Sequence, residues 1–490
     1  MTSDATHLKQ RALVVVSNRE PYTMQVTENV LSFQKTTGGL VSALEPVLIE
    51  RGGKWVCWQG QQALPHHMRH QYEDELQQLP FDMQTVELSS TQIDHYYNGF
   101  ANDLLWPLFH YFQARGNFTE ALDWENYVVA NQRFAEKVLA VSQPDDFVWV
   151  QDYQLLLVPE LIRQKSPDHA IGFFNHIPFP AYDVFRLLPN RREILRGMLG
   201  SDLIGFHIDD YANHFMDCVR RLLSQEAVVH SESGIIEYQG RRIEVKSFPI
   251  SIDVQHIEQL ASKPSVQTDA VAVRQSFNAM GVEYIGIGVD RLDYTKGILE
   301  RLEAIEAFFD TYPEFKKRFT FIQIAAPTRT KVGTYQTLRE DVEQAVGRIN
   351  GRLSEGTWSP IQYFYRSFTL DKLMPYFLAS DLALVTPLRD GMNLVAKEYC
   401  AAQMDNNGVL LLSELAGAAD ELADSIRLNP YDQPRFVRKL HRALNMPQAE
   451  KTQRMAALRK QIAKYDIHHW VNDYLNAFEQ AVSQRYTLSE

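Results

Sequence analysis

Short runs of consecutive apolar residues recur along the chain, and longer segments with helical spacing separate them. Such unbroken runs are typical of strands in a parallel sheet, because helices bury both of its faces. Strands are therefore predicted at Leu13–Ser17, Phe147–Val150, Ile171–Phe174, Leu203–Phe206, Tyr284–Val289, Phe319–Ile324, Leu382–Thr386 and Val409–Leu412. Helices are predicted between them, as at Ile298–Phe309, Val332–Val346 and Leu370–Leu378. This alternation predicts an α/β protein.

The length of the chain indicates more than one domain. At roughly 100–200 residues per domain, 490 residues predict two or three domains. A predicted strand at Glu244–Ser247 is followed by a polar stretch at Glu258–Thr268, where we place the boundary. We predict two Rossmann-like domains facing across a cleft, over residues 1–255 and 256–465, and a final amphipathic helix within residues 466–490.

Charge and cysteine content exclude several classes of protein. The 61 acidic and 49 basic residues give a net charge of −12, which opposes binding to nucleic acid or to an anionic membrane. No apolar stretch approaches the roughly 18–20 residues that span a bilayer, and no secretory signal is recognised. Three widely separated cysteines form neither a disulfide framework nor a Cys-rich zinc site. A cytoplasmic protein with no nucleic-acid or membrane partner is expected.

Polar residues follow the predicted strands of the first half, where open α/β sheets bind ligands. Ser17-Asn18-Arg19 follows the first strand, and the pair Gly38-Gly39 precedes a helix predicted at Leu40–Ile49, whose first amides suit a diphosphate or a sugar. Asp152 and His176 each follow a buried strand directly. Each pattern also has a purely structural explanation. The glycine pair fits a tight turn, Asp152 fits a helix N-cap, and His176 fits a core histidine.

Cations and carboxylates follow the predicted strands of the second half. Arg291 and Lys296 lie between a strand and the start of a helix, an arrangement that suits an anion or a surface salt-bridge loop. Arg329 is a third cation, placed after the next strand. No close spacing of metal-ligating residues is present, so no metal site is expected.

The most specific segment covers residues 386–399, where a strand ends, a turn with a glycine follows and a helix begins. Asp390 in the turn suits sugar hydroxyls, and the amides near Leu394 and Val395 suit a diphosphate. Glu398, further along the helix, suits a ribose diol. The alternative is a capped helix with a buried ion pair that includes Lys397.

Together these motifs resemble the trehalose-6-phosphate synthase family of retaining glycosyltransferases. The resemblance runs from about Leu13 to about Trp470. Its strongest stretches are HIPFP at 176–180, DRLDYTKG at 290–297, VGRING at 346–351 and TPLRDGMNLVAKEY at 386–399.

The resemblance implies a GT-B fold whose final helix, residues 466–490, returns to the N-terminal domain. It implies transfer of glucose, with retention, from a nucleotide diphosphate glucose (UDP-glucose foremost) to glucose 6-phosphate. Residues 1–255 would bind the acceptor and residues 256–465 the donor. The substrates would be a nucleotide sugar and a sugar phosphate, with no cofactor and no metal. A homo-oligomer, either a dimer or a tetramer, is expected for an enzyme of this size.

The resemblance also implies roles for individual residues. The donor would be bound by Gly38, Gly39, Arg291, Lys296, Phe368, Asp390, Leu394, Val395 and Glu398, with Phe368 beside the uracil. The acceptor would be bound by Arg19, Tyr97, Trp106, Asp152 and Arg329. His176 and Trp106 match positions near the reacting sugar. The catalytic set implied is Asp152, His176, Arg291, Lys296 and Asp390.

Departures from the family pattern leave alternatives open, mainly for the acceptor. Gln151 stands where the family often has a histidine, and the segment between Arg19 and Gly38 is longer than in compact bacterial members. One alternative is a glucosylglycerol-phosphate synthase that uses ADP-glucose and glycerol 3-phosphate; Arg329, in a Pro-Thr-Arg context, favours glucose 6-phosphate instead. Another is a non-catalytic sugar-phosphate sensor, which the retained Arg291 and Lys296 argue against. No fused phosphatase domain is expected.

Overall fold

The structure, a computed structural model, describes residues 11–27, 30–36, 39–58, 60, 66–118, 121–329 and 333–486. The chain separates into two compact units, residues 1–249 with 470–490 and residues 250–469. Each unit contains one large sheet with helices packed on it, so the α/β class is confirmed. The boundaries lie a few residues from the positions predicted at 255 and 465.

The first unit is built on a nine-stranded sheet. In spatial order its strands are Asp82–Val86, Lys54–Trp58, Leu13–Ser17, Phe147–Gln151, Ala170–Phe174, Leu203–Phe206, Arg241–Ser247, Ile235–Tyr238 and Ala227–His230. Neighbours along the first seven strands pair in parallel, and the last two strands add antiparallel pairings. The order of the parallel strands reverses between Leu13–Ser17 and Phe147–Gln151, the switch point at which doubly wound sheets bind ligands.

Helices and a small hairpin complete the first unit. The hairpin joins Tyr22–Thr27 to Val30–Lys35, and its Met24 and Leu31 pack on Met68 and Tyr72. This hairpin, the two antiparallel edge strands and the parallel strands Lys54–Trp58 and Asp82–Val86 were not predicted from the sequence. The helices are Gly39–Arg51, Arg69–Gln77, Ser90–Gln92, the π-helical Ile93–Leu105, Trp106–Phe109, Ala121–Val141, Val158–Lys165, Tyr182–Phe185, Arg191–Met198 and Asp209–Leu222.

The C-terminal helix, Ile467–Ser483, packs on the first sheet from Trp470 onward. The ring of Tyr474 stacks on Trp149 with centroids 4.1 Å apart, and its hydroxyl donates to the Phe173 carbonyl at 3.1 Å. A Cβ on Gly172 would lie 2.5 Å from the Tyr474 hydroxyl, so this strand needs glycine to admit the helix. The expected return of the last helix to the N-terminal domain is therefore confirmed.

A buried ion cluster connects the end of this C-terminal segment to the rest of the first unit. Asp202, fully buried, accepts from Arg163 at 3.0 Å and from Arg485 at 2.7 Å. Arg485 also donates to the carbonyls of Asp168 and His169. Because each guanidinium has both a carboxylate and carbonyl oxygens as partners, these buried charges are compensated.

The second unit is built on a six-stranded parallel sheet. In spatial order its strands are Ile361–Phe364, Phe319–Ala326, Tyr284–Arg291, Leu382–Val385, Val409–Ser413 and Ile426–Leu428. Numbered along the chain, this is the order 3-2-1-4-5-6 of a Rossmann sheet. The switch point lies between Tyr284–Arg291 and Leu382–Val385.

The helices of the second unit are Val254–Ala261, Pro264–Asn278, Ile298–Thr311, Gly333–Leu353, Leu370–Ala379, Leu394–Ala402, Ala418–Glu421, Gln433–Leu444 and Gln448–Lys464. The polar stretch taken as the boundary falls in the first two of these helices rather than in a linker. Val266, Ala270 and Phe277 recur at helical spacing and are buried, which gives the second helix an apolar side. Within the described residues, no helix is both long and apolar enough to cross a membrane.

Candidate active site

In the first unit, polar side chains gather where the strand Leu13–Ser17 ends at the switch point. The Asn18 side chain accepts from the hydroxyl of Tyr96 at 2.7 Å, and its carbonyl accepts from the Trp58 amide at 3.3 Å. These two bonds fix the backbone that carries the exposed Arg19. We give the name first-unit site to the residues along this edge of the first sheet, namely Arg19, Tyr97, Trp106, Asp152 and His176.

Aromatic residues line the same edge. Tyr97 lies in the π-helical segment Ile93–Leu105, with its ring centroid 5.8 Å from that of Trp58. Trp106, at the start of the next helix, is buried with its ring 5.7 Å from Tyr153. π-Helical geometry is rare, and π-helical turns are frequently found at functional sites.

Asp152 and His176 are brought together at the ends of adjacent strands. Asp152 has φ of 74°, which is uncommon for a residue with a side chain. Its amide donates to the Phe174 carbonyl at 2.7 Å, and its carboxylate accepts from the His176 amide at 3.1 Å. Asp152 therefore joins two strand-end loops, and no capping hydrogen bond from its side chain to the following turn is present.

The His176 ring lies in an aromatic and amide environment. Its Nε2 is 2.8 Å from Gln151 Oε1, and its centroid is 4.6 Å from Phe174, 5.4 Å from His207 and 6.2 Å from Trp470. Burial, together with His207, lowers the pKa of His176 well below its usual value. The imidazole is therefore neutral near pH 7.

In the second unit, the loop after the strand Tyr284–Arg291 positions Lys296. The chain passes through a 3-10 turn at Tyr294–Lys296 and then through Gly297, whose φ is 63°. A Cβ on Gly297 would lie 2.3 Å from the Thr386 carbonyl, so only glycine fits there. This close approach joins the loop to the end of the neighbouring strand at the switch point.

Lys296 and Asp390 meet at this switch point. The Lys296 ammonium lies 2.5 Å from the Asp390 carboxylate, and Asn393 donates to the same oxygen at 3.0 Å. Asp390 is only 8% exposed, so the pair is largely screened from water. Asn393 has φ of 78° and turns the chain into the following helix.

That helix, Leu394–Ala402, begins with groups that suit a ligand with phosphates. Leu394 and Val395 lie in its first turn, where backbone amides have no intrahelical acceptor. Glu398 follows one turn later, and burial raises its pKa to about 7. The turn, the first-turn amides and the carboxylate thus lie on one continuous segment. We call Arg291, Lys296, Asp390 and this helix the second-unit site.

Arg301 connects the segments of the second-unit site and was not identified from the sequence. Its side chain is fully buried. Its guanidinium donates to Thr386 at 2.8 Å, to Asp290 at 2.6 Å, to Gln323 at 2.8 Å and to the Lys296 carbonyl at 3.4 Å. Asp290 and Gln323 lie in two neighbouring strands, Thr386 directly follows a third, and the Lys296 carbonyl belongs to the lysine loop.

A sequence signal for Arg301 was available. It lies three residues after Ile298 and next to Leu302, on the buried side of its helix, where a charged residue requires partners. Gly288 provides the space, because a Cβ there would lie 2.4 Å from Nη1 of Arg301.

Arg329 is held by a neighbouring acid and a phenol. Its side chain is 4% exposed and lies 3.2 Å from the Asp293 carboxylate. Tyr335 accepts from Arg329 and donates to Asp293. Burial opposes ionisation of Asp293, yet Arg329, Arg291 and Lys296 together lower its pKa below the usual value. The charge of this buried carboxylate is therefore balanced by three neighbouring cations, of which Arg329 is in contact with it.

The remaining predicted residues lie elsewhere or outside the described chain. Phe368 follows the strand Ile361–Phe364, is partly exposed, and packs 5.6 Å from the ring of Tyr376. Gly39 is the first residue of a helix, while Gly38 lies outside the described residues. Across the described ranges, no group of three or more His, Cys, Asp or Glu residues is arranged to hold a metal ion.

Comparison with known proteins gives consistent relatives over nearly the whole chain. The chain is 39% identical over 472 residues to alpha,alpha-trehalose-phosphate synthase [UDP-forming] A of Dictyostelium discoideum, covering 96% of this chain and 63% of that protein. It is 38% identical over 489 residues to the alpha,alpha-trehalose-phosphate synthase [UDP-forming] of Schizosaccharomyces pombe, covering 98% and 92%.

Solved structures agree with these relatives. An alpha,alpha-trehalose-phosphate synthase (UDP-forming) from Burkholderia vietnamiensis superposes with a TM-score of 0.86 at 34% identity, covering 98% of this chain and 99% of that one. A structure from E. coli, bound with UDP-2-fluoro glucose, has a TM-score of 0.85 at 34% identity, covering 96% and 99%. A Burkholderia xenovorans synthase in complex with glucose-6-phosphate has a TM-score of 0.81 at 32% identity, covering 95% and 100%.

The two Rossmann-like units and these likenesses define the class as an α/β glycosyltransferase of GT-B fold. The chain belongs to glycosyltransferase family 20, whose model matches residues 11–480. The fold class and the family expected from the motifs are therefore confirmed, as is the prediction of a hexosyltransferase.

Proposed function

We propose that this protein transfers glucose, with retention, from UDP-glucose to glucose 6-phosphate and forms α,α-trehalose 6-phosphate. Membership of family 20 and the similarity to UDP-forming synthases support this activity. The structural observation that carries it is the pairing of Lys296 with Asp390 at the switch point of a Rossmann sheet. A cation for a diphosphate and a carboxylate for sugar hydroxyls stand there side by side.

The donor is assigned to the second-unit site. Arg291 and Lys296 would bind the diphosphate, together with the free amides at Leu394 and Val395. Asp390 would accept hydrogen bonds from the transferred glucose, and Glu398 from the ribose. Phe368 would lie beside the uracil, and Gly38 and Gly39 would close over the donor.

The acceptor is assigned to the first-unit site and to Arg329. Arg19 and Tyr97 would contact the phosphate of glucose 6-phosphate, and Asp152 its hydroxyls. Arg329 would add a second cation for the phosphate, held ready by Asp293 and Tyr335. Trp106 and His176 would lie near the reacting sugar.

The proposed chemistry needs positioning and charge stabilisation more than a protein nucleophile. The glycosidic bond to the β-phosphate oxygen breaks, and the acceptor hydroxyl attacks the same face of the sugar. The departing phosphate takes the proton of that hydroxyl. Arg291 and Lys296 would stabilise the charge that develops on the diphosphate. Since both charges are supplied by side chains, we propose that no metal or other cofactor is required.

A matrix of donors and acceptors tests the proposal. The purified protein is mixed with UDP-, ADP- or GDP-glucose and with glucose 6-phosphate or glycerol 3-phosphate, with and without EDTA. Nucleotide release and the mass of the product are measured. Trehalose 6-phosphate from UDP-glucose, unaffected by EDTA, is the expected result.

Other outcomes would identify the alternatives. Turnover with ADP-glucose and glycerol 3-phosphate alone would show a glucosylglycerol-phosphate synthase, and would overturn the acceptor assignment while leaving the second-unit site in place. Binding of sugar phosphate without turnover under any condition would indicate a sensor. Arg291→Ala separates these cases, because it should abolish turnover in an enzyme and change only binding in a sensor.

Two further expectations belong to the same proposal. We propose a homo-oligomer, a dimer or a tetramer, because soluble enzymes of this size commonly assemble with closed symmetry. Light scattering after size-exclusion chromatography would test this. We also propose that the protein acts in the cytoplasm, where nucleotide sugars and sugar phosphates are present, and cell fractionation would test it.

A further inference from the structure

Gln151 is a buried amide whose side chain reaches one catalytic candidate. It is the last residue of the strand Phe147–Gln151 and is 1% exposed. Its Oε1 lies 2.8 Å from Nε2 of His176, while its own Nε2 is buried without a hydrogen-bond partner among the described residues. Within the described residues, the side-chain amide of Gln151 therefore makes one hydrogen bond, and its partner is the His176 imidazole.

The groups that face His176 come from four elements. Gln151 and Asp152 come from the end of one strand, Phe174 from the next strand, and His207 follows a third. The C-terminal helix contributes Trp470, whose indole does not titrate. Asp152 accepts from the His176 backbone amide through Oδ1, and the amide oxygen of Gln151 is the group 2.8 Å from Nε2.

A neutral imidazole has one N–H donor and one lone-pair acceptor, and its neighbours decide which nitrogen has which role. An amide oxygen can only accept, so at 2.8 Å it places the proton on Nε2. We propose that Gln151 is a positioning residue that fixes His176 as the Nε2–H tautomer and leaves Nδ1 as an acceptor for a hydroxyl of a bound sugar.

The consequence for the reaction rests on the proposed function. A hydroxyl that donates to Nδ1 is oriented by that bond, which sets the sugar relative to the diphosphate. The other tautomer would present an N–H at Nδ1, which would have to meet a hydroxyl lone pair instead. Gln151 would thus select how the sugar is held without touching the substrate itself.

Nitrogen NMR of the intact protein reads the tautomer directly. The chain contains 15 histidines, so the signals of His176 are identified by their loss in His176→Asn. In 15N-histidine protein at pH 7.5, we expect the Nε2 resonance to be that of an N–H nitrogen and Nδ1 that of a bare nitrogen. A protonated Nδ1 with a bare Nε2 would overturn the proposal, whether or not the protein turns over any substrate.

Two substitutions then connect the tautomer to catalysis. Gln151→Leu has a similar volume but no acceptor, so Nδ1–H should gain population and kcat/KM should fall by about tenfold or more. Gln151→Glu places a carboxylate at Nε2, which favours the imidazolium and removes the acceptor at Nδ1. The pH at which the His176 nitrogen resonances titrate should therefore move up by at least about one pH unit.

A matched control separates positioning from packing. Gln403 is also buried, and it donates to the Phe377 carbonyl in the other unit. Gln403→Leu is expected to lower Tm, with the His176 resonances and their titration unchanged. Wild-type kcat/KM in Gln151→Leu, or a His176 titration that does not move in a folded Gln151→Glu, would overturn the positioning role.

If the donor and acceptor matrix gives no turnover, the tautomer measurement still stands as a separate test. If Gln151→Leu fails to fold, Gln151→Met provides a second variant with no acceptor oxygen. The NMR result on the wild-type protein needs neither variant.

Discussion

The Lys296 ammonium and the Asp390 carboxylate are partners across the switch point of the second sheet, 2.5 Å apart. The two residues are 94 positions apart in the chain, and the close approach of Gly297 to the Thr386 carbonyl helps bring their segments together. Each therefore neutralises the other, and under the proposed function a bound donor would supply a phosphate for the lysine and hydroxyls for the carboxylate.

This pairing predicts strong coupling between the two side chains. Lys296→Met leaves Asp390 buried without its cation, and we expect kcat/KM to fall by about 100-fold or more. Asp390→Asn should cause a loss of similar size. In the double variant the losses should be clearly less than additive, because each single substitution already disrupts the same unit. Kinetics of all three variants measure this, and simple additivity would contradict it.

Arg301 is predicted to act through the residues that it holds. Arg301→Lys keeps a positive charge but loses the planar fork that reaches several partners, so kcat/KM should fall by about tenfold or more with a raised KM for UDP-glucose. Arg163→Lys is the matched control, since Arg163 is also buried but pairs with Asp202 in the first unit. We expect the control to lower Tm and leave KM unchanged. Equal loss of Tm with unchanged kinetics in both would show that Arg301 is purely structural.

The raised pKa of Glu398 leads us to predict that donor binding depends on pH. Its pKa is raised to about 7, so the carboxylate protonates as the pH falls through neutrality. A protonated group accepts hydrogen bonds from a ribose poorly, and KM for UDP-glucose should rise by up to about tenfold per pH unit below pH 7. Initial rates between pH 5.5 and 8.5 test this, with KM for glucose 6-phosphate as the internal comparison.

Glu398→Gln checks the sign of the same effect. The raised pKa of Glu398 favours the folded state fully at pH values below the ordinary pKa of 4.5. That contribution to stability is lost as the pH rises through the folded-state pKa of about 7. The glutamine cannot ionise, so Tm at pH 8 should be higher in the variant than in the wild type. Its KM for UDP-glucose should be high and independent of pH. A pH-dependent KM in Glu398→Gln would assign the titration to another group.

The ion cluster at Asp202 predicts a stabilising role for the C-terminal segment. Arg485→Met removes one of two guanidinium partners from a fully buried carboxylate, and should lower the free energy of unfolding by about 3 kcal/mol. Arg318→Met, which breaks an exposed pair with Glu283, should change it by less than about 1 kcal/mol. Denaturant titrations of both variants measure the difference, and equal effects would contradict it.

The sequence predicted the strands better than it predicted the connections among polar groups. Continuous apolar runs such as Leu203–Phe206 match the observed strand residue for residue, because burial on both faces leaves a strong pattern. The hairpin at Tyr22–Thr27 has no such pattern, since it packs only on a small separate core. The stretch at 258–268 appeared to be a linker because few of its residues are apolar, although it lies in two helices.

The candidate site shows the same division. The family resemblance assigned both Lys296 and Asp390 to the donor, and the structure pairs them at a switch point, where strand ends converge. The spacing could not show that Arg301 joins these segments, or that Gln151 faces His176. Those contacts depend on which side chains share a small buried space, and a linear sequence does not contain that information.

The first unit is assembled from both ends of the chain, while the second unit is continuous from 250 to 469. During synthesis the ribosome makes the first sheet early, but Trp149 has no Tyr474 to stack on until almost the whole chain has been translated. The second unit has all of its residues before that point. The half of the protein that is translated first is therefore the last to be completed, and until then its sheet exposes the apolar surface that the C-terminal helix later covers.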